Sequence, residues 1–139
     1  MTRFYNIDEA NDRLAELEPL LLALRDQRAD LIRLRDLVLE ADNDQESTDD
    51  DAEQLRLLRL RMQGVIDQMQ AAVAEIDRMG ITLRDIESGL IDFPALVAGR
   101  QICLCWRLGE GPIEWWHSID DGFSGRRPLI ELASGMANE

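Results

Sequence analysis

The sequence predicts an α+β fold, in which a long antiparallel helical hairpin is followed by a small antiparallel β-sheet. Up to residue 80, apolar residues recur every three or four positions, which is the period of a helix that buries one side. After Gly80 the chain changes to short β-branched and aromatic segments separated by glycine, proline and aspartate, a pattern typical of strands joined by turns. We therefore expect a single domain over residues 1–139, with the hairpin in 1–80 and a β-rich module in 81–139.

The first helix is expected to begin after Asn6 and to end near Ala41. Asn6 is a suitable N-cap, and Glu9 completes a capping box three residues later. Pro19 lies inside the pattern and is expected to kink the helix. The apolar stripe consists of Ile7, Ala10, Leu14, Leu17, Leu21, Leu24, Leu31 and Val38.

A second helix is expected after an acidic loop at residues 42–51, whose sequence is DNDQESTDDD. Gly80 supplies its C-terminal stop, with Arg78 in the last turn. Because the loop is short, the two helices should form an antiparallel hairpin about 40–50 Å long. The apolar residues of the second helix follow a heptad pattern: Leu55, Leu58, Met62, Val65, Met69, Ala72, Ile76 and Met79.

The β-rich module is predicted to contain strands at 81–86, 90–93, 100–108 and 113–118. A hairpin around Gly109–Gly111 would pair residues whose numbers sum to 220, which places Cys103 opposite His117 and Cys105 opposite Trp115. A slip of one residue would instead bring His117 beside Leu104, so the register decides which site can form.

Composition excludes several classes of function. The formal net charge of −13 opposes binding to nucleic acid or to an anionic membrane, because phosphates would be repelled. All fifteen basic residues are arginine, which removes lysine chemistry such as Schiff-base formation. No apolar run has the ~20 residues needed to span a bilayer, and the first residues lack the pattern of a secretory signal. Two cysteines form no disulfide framework, so we expect a cytoplasmic location.

The rare residue types that form chemical sites are concentrated in 101–128. Two thiols and one imidazole on a common face could bind zinc, with Cys105 and His117 as the metal-ligand candidates, or could be ordinary core residues of a sheet. His117 is also the candidate catalytic acid or base. No nucleophile accompanies it in a recognisable motif, so the chain is expected not to be an enzyme.

Several short motifs resemble the bacterial DUF2203 family, a domain of unknown function, over nearly the whole chain. They are Glu9–Asn11, Gly89–Pro94, Leu104–Trp106, Leu108–Glu110, Trp116–His117, Gly122–Phe123 and Gly125–Arg126. The resemblance implies no activity, since the family has none assigned. With the residue chemistry it directs attention to a candidate pocket composed of Asp92, Trp106, Glu110, Trp116, His117, Asp121 and Arg126.

We predict a self-associating interaction or scaffold module, in which two hairpins pair as a homodimer. Such pairing would cover leucines that the hairpin leaves exposed, namely Leu22, Leu39, Leu57 and Leu60. The alternatives are a small-ligand-binding protein or enzyme that uses the candidate pocket, and a metal-binding protein centred on His117. No cofactor is predicted, zinc or another divalent metal being the alternative.

Overall fold

A computed structural model of the chain describes residues 3–43 and 48–132. Two helices, α1 (Ile7–Asp42) and α2 (Asp49–Arg78), pack against each other as a hairpin. The strands β1 (Thr82–Asp85), β2 (Leu90–Val97), β3 (Arg100–Arg107), β4 (Trp115–Ser118) and β5 (Arg127–Pro128) follow, with a 3-10 turn at Phe123–Gly125. Every pair of neighbouring strands is antiparallel, in the order β1-β2-β3-β4-β5. The predicted α+β fold, a helical hairpin followed by an antiparallel sheet, is confirmed.

Both helices begin with a capping box. The Asn6 side chain accepts from the backbone N–H of Glu9, and the Glu9 carboxylate accepts from the backbone N–H of Asn6, as predicted. Thr48 and Asp51 make the same exchange at the start of α2. The end of the predicted acidic loop is therefore the first turn of α2, while residues 44–47 of that loop lie outside the described residues.

The predicted heptad positions of α2 form the seam of the hairpin. Each of the eight is buried or half-buried, whereas most residues between them are exposed. Gly80 follows the last turn with φ +75°, a conformation that glycine adopts without steric cost, and it ends the helix as predicted. No described helix is both long and apolar enough to cross a membrane.

The sheet differs from the prediction at three places. β4 begins at Trp115 rather than at residue 113, so the connection from β3 is longer than the predicted loop at Gly109–Gly111. β2 continues through Pro94 to Val97, and Pro94 pairs with Cys103 of β3. β1 pairs with β2 only as far as Asp92, so at Pro94 the side of β2 that faces away from β3 is a sheet edge. Proline has no N–H, and at an edge its absence removes no hydrogen bond between strands. β5 was not predicted, because two residues are too few to show a period.

One hydrophobic core joins the sheet to the hairpin. Its buried residues include Leu17, Leu21 and Leu24 of α1 and Ile76 of α2. They pack with one face of β2, β3 and β4, which we call the inner face: Ile91, Phe93, Ala95, Val97, Ile102, Leu104, Trp106 and Trp116. No described residue between Leu24 and Met69 belongs to this core, which therefore occupies the open end of the hairpin.

Candidate functional site

The opposite face of the sheet, which we call the outer face, carries the polar and sulfur-containing side chains. The observed register places Asp92 opposite Cys105, and Cys103 opposite His117. Cross-strand partners project from the same face of a sheet, so these four residues of β2, β3 and β4 form one patch. The register that sums to 220 is confirmed where β3 pairs with β4.

All four residues of the patch are buried, which is unusual for a carboxylate and an imidazole. Asp92 and His117 are each only 2% exposed. His117 Nε2 lies 2.9 Å from Asp92 Oδ1, and Arg84 Nε donates to Asp92 Oδ2 at 2.7 Å. The Asp92 carboxylate is thus held between an imidazole and a guanidinium, as a buried charged group requires.

The hydrogen bonds of His117 define where its protons lie. Nδ1 is 2.8 Å from the Ser118 carbonyl oxygen, which can only accept, so Nδ1 carries a hydrogen. The contact between Nε2 and Asp92 Oδ1 then needs one proton between the two atoms. The shared proton lies between two groups that are both metal ligands when they lose it.

Neither thiol is activated. Burial raises the pKa of Cys105 to about 11, and the charge of Asp92 adds to this. Burial likewise raises the pKa of Cys103, where the Asp92 charge acts in the same direction and Arg84 opposes it. Both cysteines are therefore protonated at neutral pH, which disfavours a role as a nucleophile.

Three of these side chains bring ligand atoms close together. One ligand atom each from Asp92, Cys103 and His117 lies within 4.8 Å of the other two, and the three residues come from three neighbouring strands. Cys105, the cysteine proposed from the sequence as a metal ligand, is not in this group. It lies opposite Asp92 instead.

A cavity of about 260 Å³ lies beside the patch, and Cys103 is the one residue of the patch that does not line it. Its walls include Asp92, Cys105 and His117 from the sheet and Arg84 from the end of β1. Asp120 and Asp121, in the segment after β4, add two exposed carboxylates to the same cavity. Solvent and small solutes can thus reach the edge of the cluster.

The structure divides the pocket predicted from the sequence among three places. Asp92, His117 and Asp121 line the cavity. Glu110 and Arg126 form a half-buried ion pair with Nη2–Oε1 and Nη1–Oε2 distances of 2.6 and 2.9 Å, and Arg126 Nη2 is 3.4 Å from the Cys105 carbonyl oxygen. Trp106 and Trp116 pack on the inner face instead, in the core.

Sequence reasoning did not assign Arg84 or Asp120 to the site. Arg84 comes from β1, at the irregularity in its pairing with β2, and no local pattern indicates that it reaches Asp92. The register alone links Cys103 to His117, but Cys103 falls outside the short motifs of the family, which include Cys105. Asp92 joins the group through the pairing of β2 with β3, which the sequence did not specify.

Comparison with known protein families identifies one whose model matches most of the chain. The model of the family described as "Uncharacterized conserved protein (DUF2203)" matches residues 3–129. The chain belongs to this family. The DUF2203 match includes Arg84 and the four residues of the patch, which together we call the outer cluster, and the residues that line the adjacent cavity. No curated protein and no protein of solved structure matches the chain.

Proposed function

We propose that the protein binds a divalent transition metal through Asp92, Cys103 and His117. The observation that carries the proposal is the convergence of three buried ligand-type side chains, with ligand atoms within 4.8 Å of one another. Two of the three, Asp92 and His117, line a solvent-accessible cavity. A metal bound there would replace the proton shared by Asp92 and His117 and the proton of the Cys103 thiol.

The surrounding hydrogen bonds support this proposal. Histidines that bind metals usually donate the other ring N–H to a carbonyl or carboxylate, as His117 Nδ1 does to Ser118 O. Ligating carboxylates are in turn hydrogen-bonded, and Arg84 occupies the second oxygen of Asp92. With bonds of about 2.0–2.3 Å in a tetrahedral site, Nε2 and Oδ1 would have to separate by only about 0.5 Å.

The ligand set favours zinc among the common metals. Nitrogen, sulfur and carboxylate ligands together are typical of zinc, whereas magnesium and calcium prefer oxygen alone. Three protein ligands leave a fourth position toward the cavity, where water or the carboxylate of Asp120 or Asp121 would bind. Two free thiols at the site favour a reducing compartment, so the proposal includes a cytoplasmic location.

The test compares the two cysteines, which lie two residues apart on β3 and are both buried. Untagged, metal-free protein is titrated with Co²⁺ and then with Zn²⁺ in competition with a chromophoric chelator. We expect one equivalent of metal and a thiolate-to-cobalt charge-transfer band. The Cys103→Ser variant should lose the band, whereas Cys105→Ser should keep it.

The affinity for Zn²⁺ gives the second readout. Arg84 contacts a ligand but not the metal, so Arg84→Gln should weaken Zn²⁺ binding by about 10–100-fold. His117→Gln and Asp92→Asn each remove a direct ligand and should weaken it by more than that. Protein that binds less than one equivalent, or equal loss of the cobalt band in both cysteine variants, would show that the Arg84–Asp92–His117 network is a structural ion pair.

Self-association through the hairpin is a second candidate function, favoured by the distribution of exposed leucines. Leu37, Leu39, Leu57 and Leu60 are 43–56% exposed. All four lie between Leu24 and Met69, where no described residue belongs to the core. A second hairpin packed against this stretch would form a four-helix bundle and remove these side chains from water.

Light scattering after size-exclusion chromatography tests this second proposal. At tens of micromolar we expect a dimer, and the double variant Leu57→Gln/Leu60→Gln should be a monomer. Leu96→Gln, which changes an equally exposed leucine on the sheet, is the matched control and should stay dimeric. A monomeric parent protein would refute self-association without affecting the metal proposal.

A further inference from the structure

A second cavity of the β-rich module lies where β3 begins and β4 ends. It has a volume of about 430 Å³ and is lined by Arg100, Gln101, Trp116, Ser118, Ile119, Asp120 and Arg127. We call it the Arg100–Arg127 groove. It is distinct from the metal-site cavity, although Ile119 and Asp120 belong to the walls of both.

The groove contains two arginines, Arg100 and Arg127, that have no carboxylate partner in the part of the chain that the structure describes. The ion pairs between described residues involve arginines on both helices and on the sheet, yet include neither Arg100 nor Arg127. The chain has 28 acidic residues and 15 arginines, so carboxylates are more numerous than the arginines that they could pair with. Asp120, the one carboxylate in the wall, pairs with neither of them.

One residue of the groove wall, Trp116, has an indole N–H for which the described residues provide no acceptor. Trp116 is 5% exposed, and its Nε1 is buried with no hydrogen-bond partner. Trp106 shows the usual arrangement, since its Nε1 donates to the Gly111 carbonyl at 2.8 Å. A buried donor without a partner is costly, and such atoms in folded proteins call for an explanation.

The positions of these donors are set by the sheet. Trp116 pairs with Arg127 of β5, and the Arg127 guanidinium lies over the Trp116 ring with its Cζ 5.6 Å from the ring centroid. The stacking fixes one guanidinium beside the indole, which reduces the entropy lost when a ligand binds. Arg100 begins β3 and lies in the same wall.

We infer that the Arg100–Arg127 groove binds an oxyanion, carried by a small ligand as a phosphate or a carboxylate group. Guanidinium groups match the geometry of both groups and bind them through paired hydrogen bonds. Trp116 lines the groove and its ring lies beneath the Arg127 guanidinium, so its indole N–H can report on an anion bound there. This inference does not rest on the metal proposal, because none of the three metal ligands lines the groove.

The indole N–H resonances of ¹⁵N-labelled, metal-free protein provide the test. Sodium phosphate and sodium acetate are titrated separately at constant ionic strength, with sodium chloride as the third arm. We expect saturable movement of the Trp116 resonance, assigned with Trp116→Phe, while the Trp106 resonance stays in place because its donor is already bonded. A response to phosphate alone, acetate alone or both supports the inference and identifies the anionic group.

Variants then locate the site. Arg127→Gln and Arg100→Gln change exposed side chains, and each should raise the dissociation constant by about 10-fold or more. Arg61→Gln, on an exposed position of α2, is the matched control and should leave it unchanged. The inference is overturned if neither anion moves the Trp116 resonance, if chloride moves it equally, or if the two groove variants behave like the control.

Discussion

Asp92 is the residue on which the outer cluster depends, because its two oxygens bind two different groups. Replacing it by asparagine removes the charge that faces both His117 and Arg84. We expect Asp92→Asn to lower the free energy of unfolding of the metal-free protein by about 2–4 kcal/mol, since His117 loses the buried carboxylate that it contacts. Urea denaturation at neutral pH measures this loss.

Arg84→Gln is the control for that prediction. The Arg84 side chain is 48% exposed, so water can replace much of what the ion pair contributes. Its substitution should cost no more than about 1 kcal/mol. A larger loss from Arg84→Gln than from Asp92→Asn would contradict the view that the buried bond between Asp92 and His117 is the stronger part of the network.

Glu110 makes the stability of the fold depend on pH. Burial acts to raise the pKa of this carboxyl, but hydrogen bonds from Arg126 and from the backbone N–H of Arg107, with the charges of both arginines, outweigh it and lower the pKa. A carboxyl whose pKa is lower in the folded state than in the unfolded state stabilises the protein at pH values above the unfolded pKa of about 4.3. This stabilisation is lost as the pH falls through the folded-state pKa.

Glu110→Gln tests this dependence. At neutral pH the variant should be less stable than the parent by about 1–3 kcal/mol, and the difference should shrink as the pH falls below about 4.3. Unfolding measured at a series of pH values gives both results. Glu16→Gln, which breaks an exposed pair with Arg13, should change stability by less than about 0.5 kcal/mol throughout. A difference for Glu110→Gln that grows toward low pH would contradict the assignment.

At the scale of the element, the turn between β1 and β2 lies close to the residue that follows β3, since the Leu108 N–H donates to the Gly89 carbonyl at 3.0 Å. Gly89 has φ +66°, and a Cβ added there would lie 2.5 Å from Leu108 Cβ. Gly99, in the turn between β2 and β3, has φ +74° but no atom within 4 Å of such a Cβ. Both alanine variants incur about 1–2 kcal/mol of backbone strain.

Comparing alanine variants at the two turns therefore separates the cost of backbone strain from the cost of the contact with Leu108. Gly89→Ala should destabilise the protein by about 1–3 kcal/mol more than Gly99→Ala, because Leu108 must move. The comparison needs only the unfolding free energies of the two variants. Equal losses would mean that the strand ends shift freely to admit the methyl group.

The elements also show what the sequence could and could not predict. The pairing of β3 with β4 followed from a turn centred on Glu110 and from alternation, so Cys103 could be placed opposite His117, although residues 108–114 separate the two strands. The pairing of β2 with β3 left Pro94 inside a strand, where the residue type alone indicates a break. Arg84 depends on an irregular pairing of β1, and so the half of the cluster that surrounds Asp92 could be found only in three dimensions.

At the scale of the whole molecule, the proposed metal would bind three strands at once. A ligand that binds only the folded state adds about 2.7 kcal/mol of stability at 100 times its dissociation constant. For a chain of 139 residues we expect Zn²⁺ at that ratio to raise the Tm by about 5–10 °C. Differential scanning calorimetry measures the shift, which a chelator should reverse and which Cys103→Ser should lack. An unchanged Tm in the parent protein would contradict the proposed site.

The position of the core at the open end of the hairpin divides the helices into two parts of different local stability. Near Leu17 and Ile76, opening an amide requires disruption of the core shared with the sheet. Between Leu24 and Met69, no described residue belongs to the core shared with the sheet, so amides there should exchange with solvent at a lower free-energy cost. A second chain packed on the exposed leucines would raise that cost only in this part. Amide exchange along the two helices would thus map self-association residue by residue.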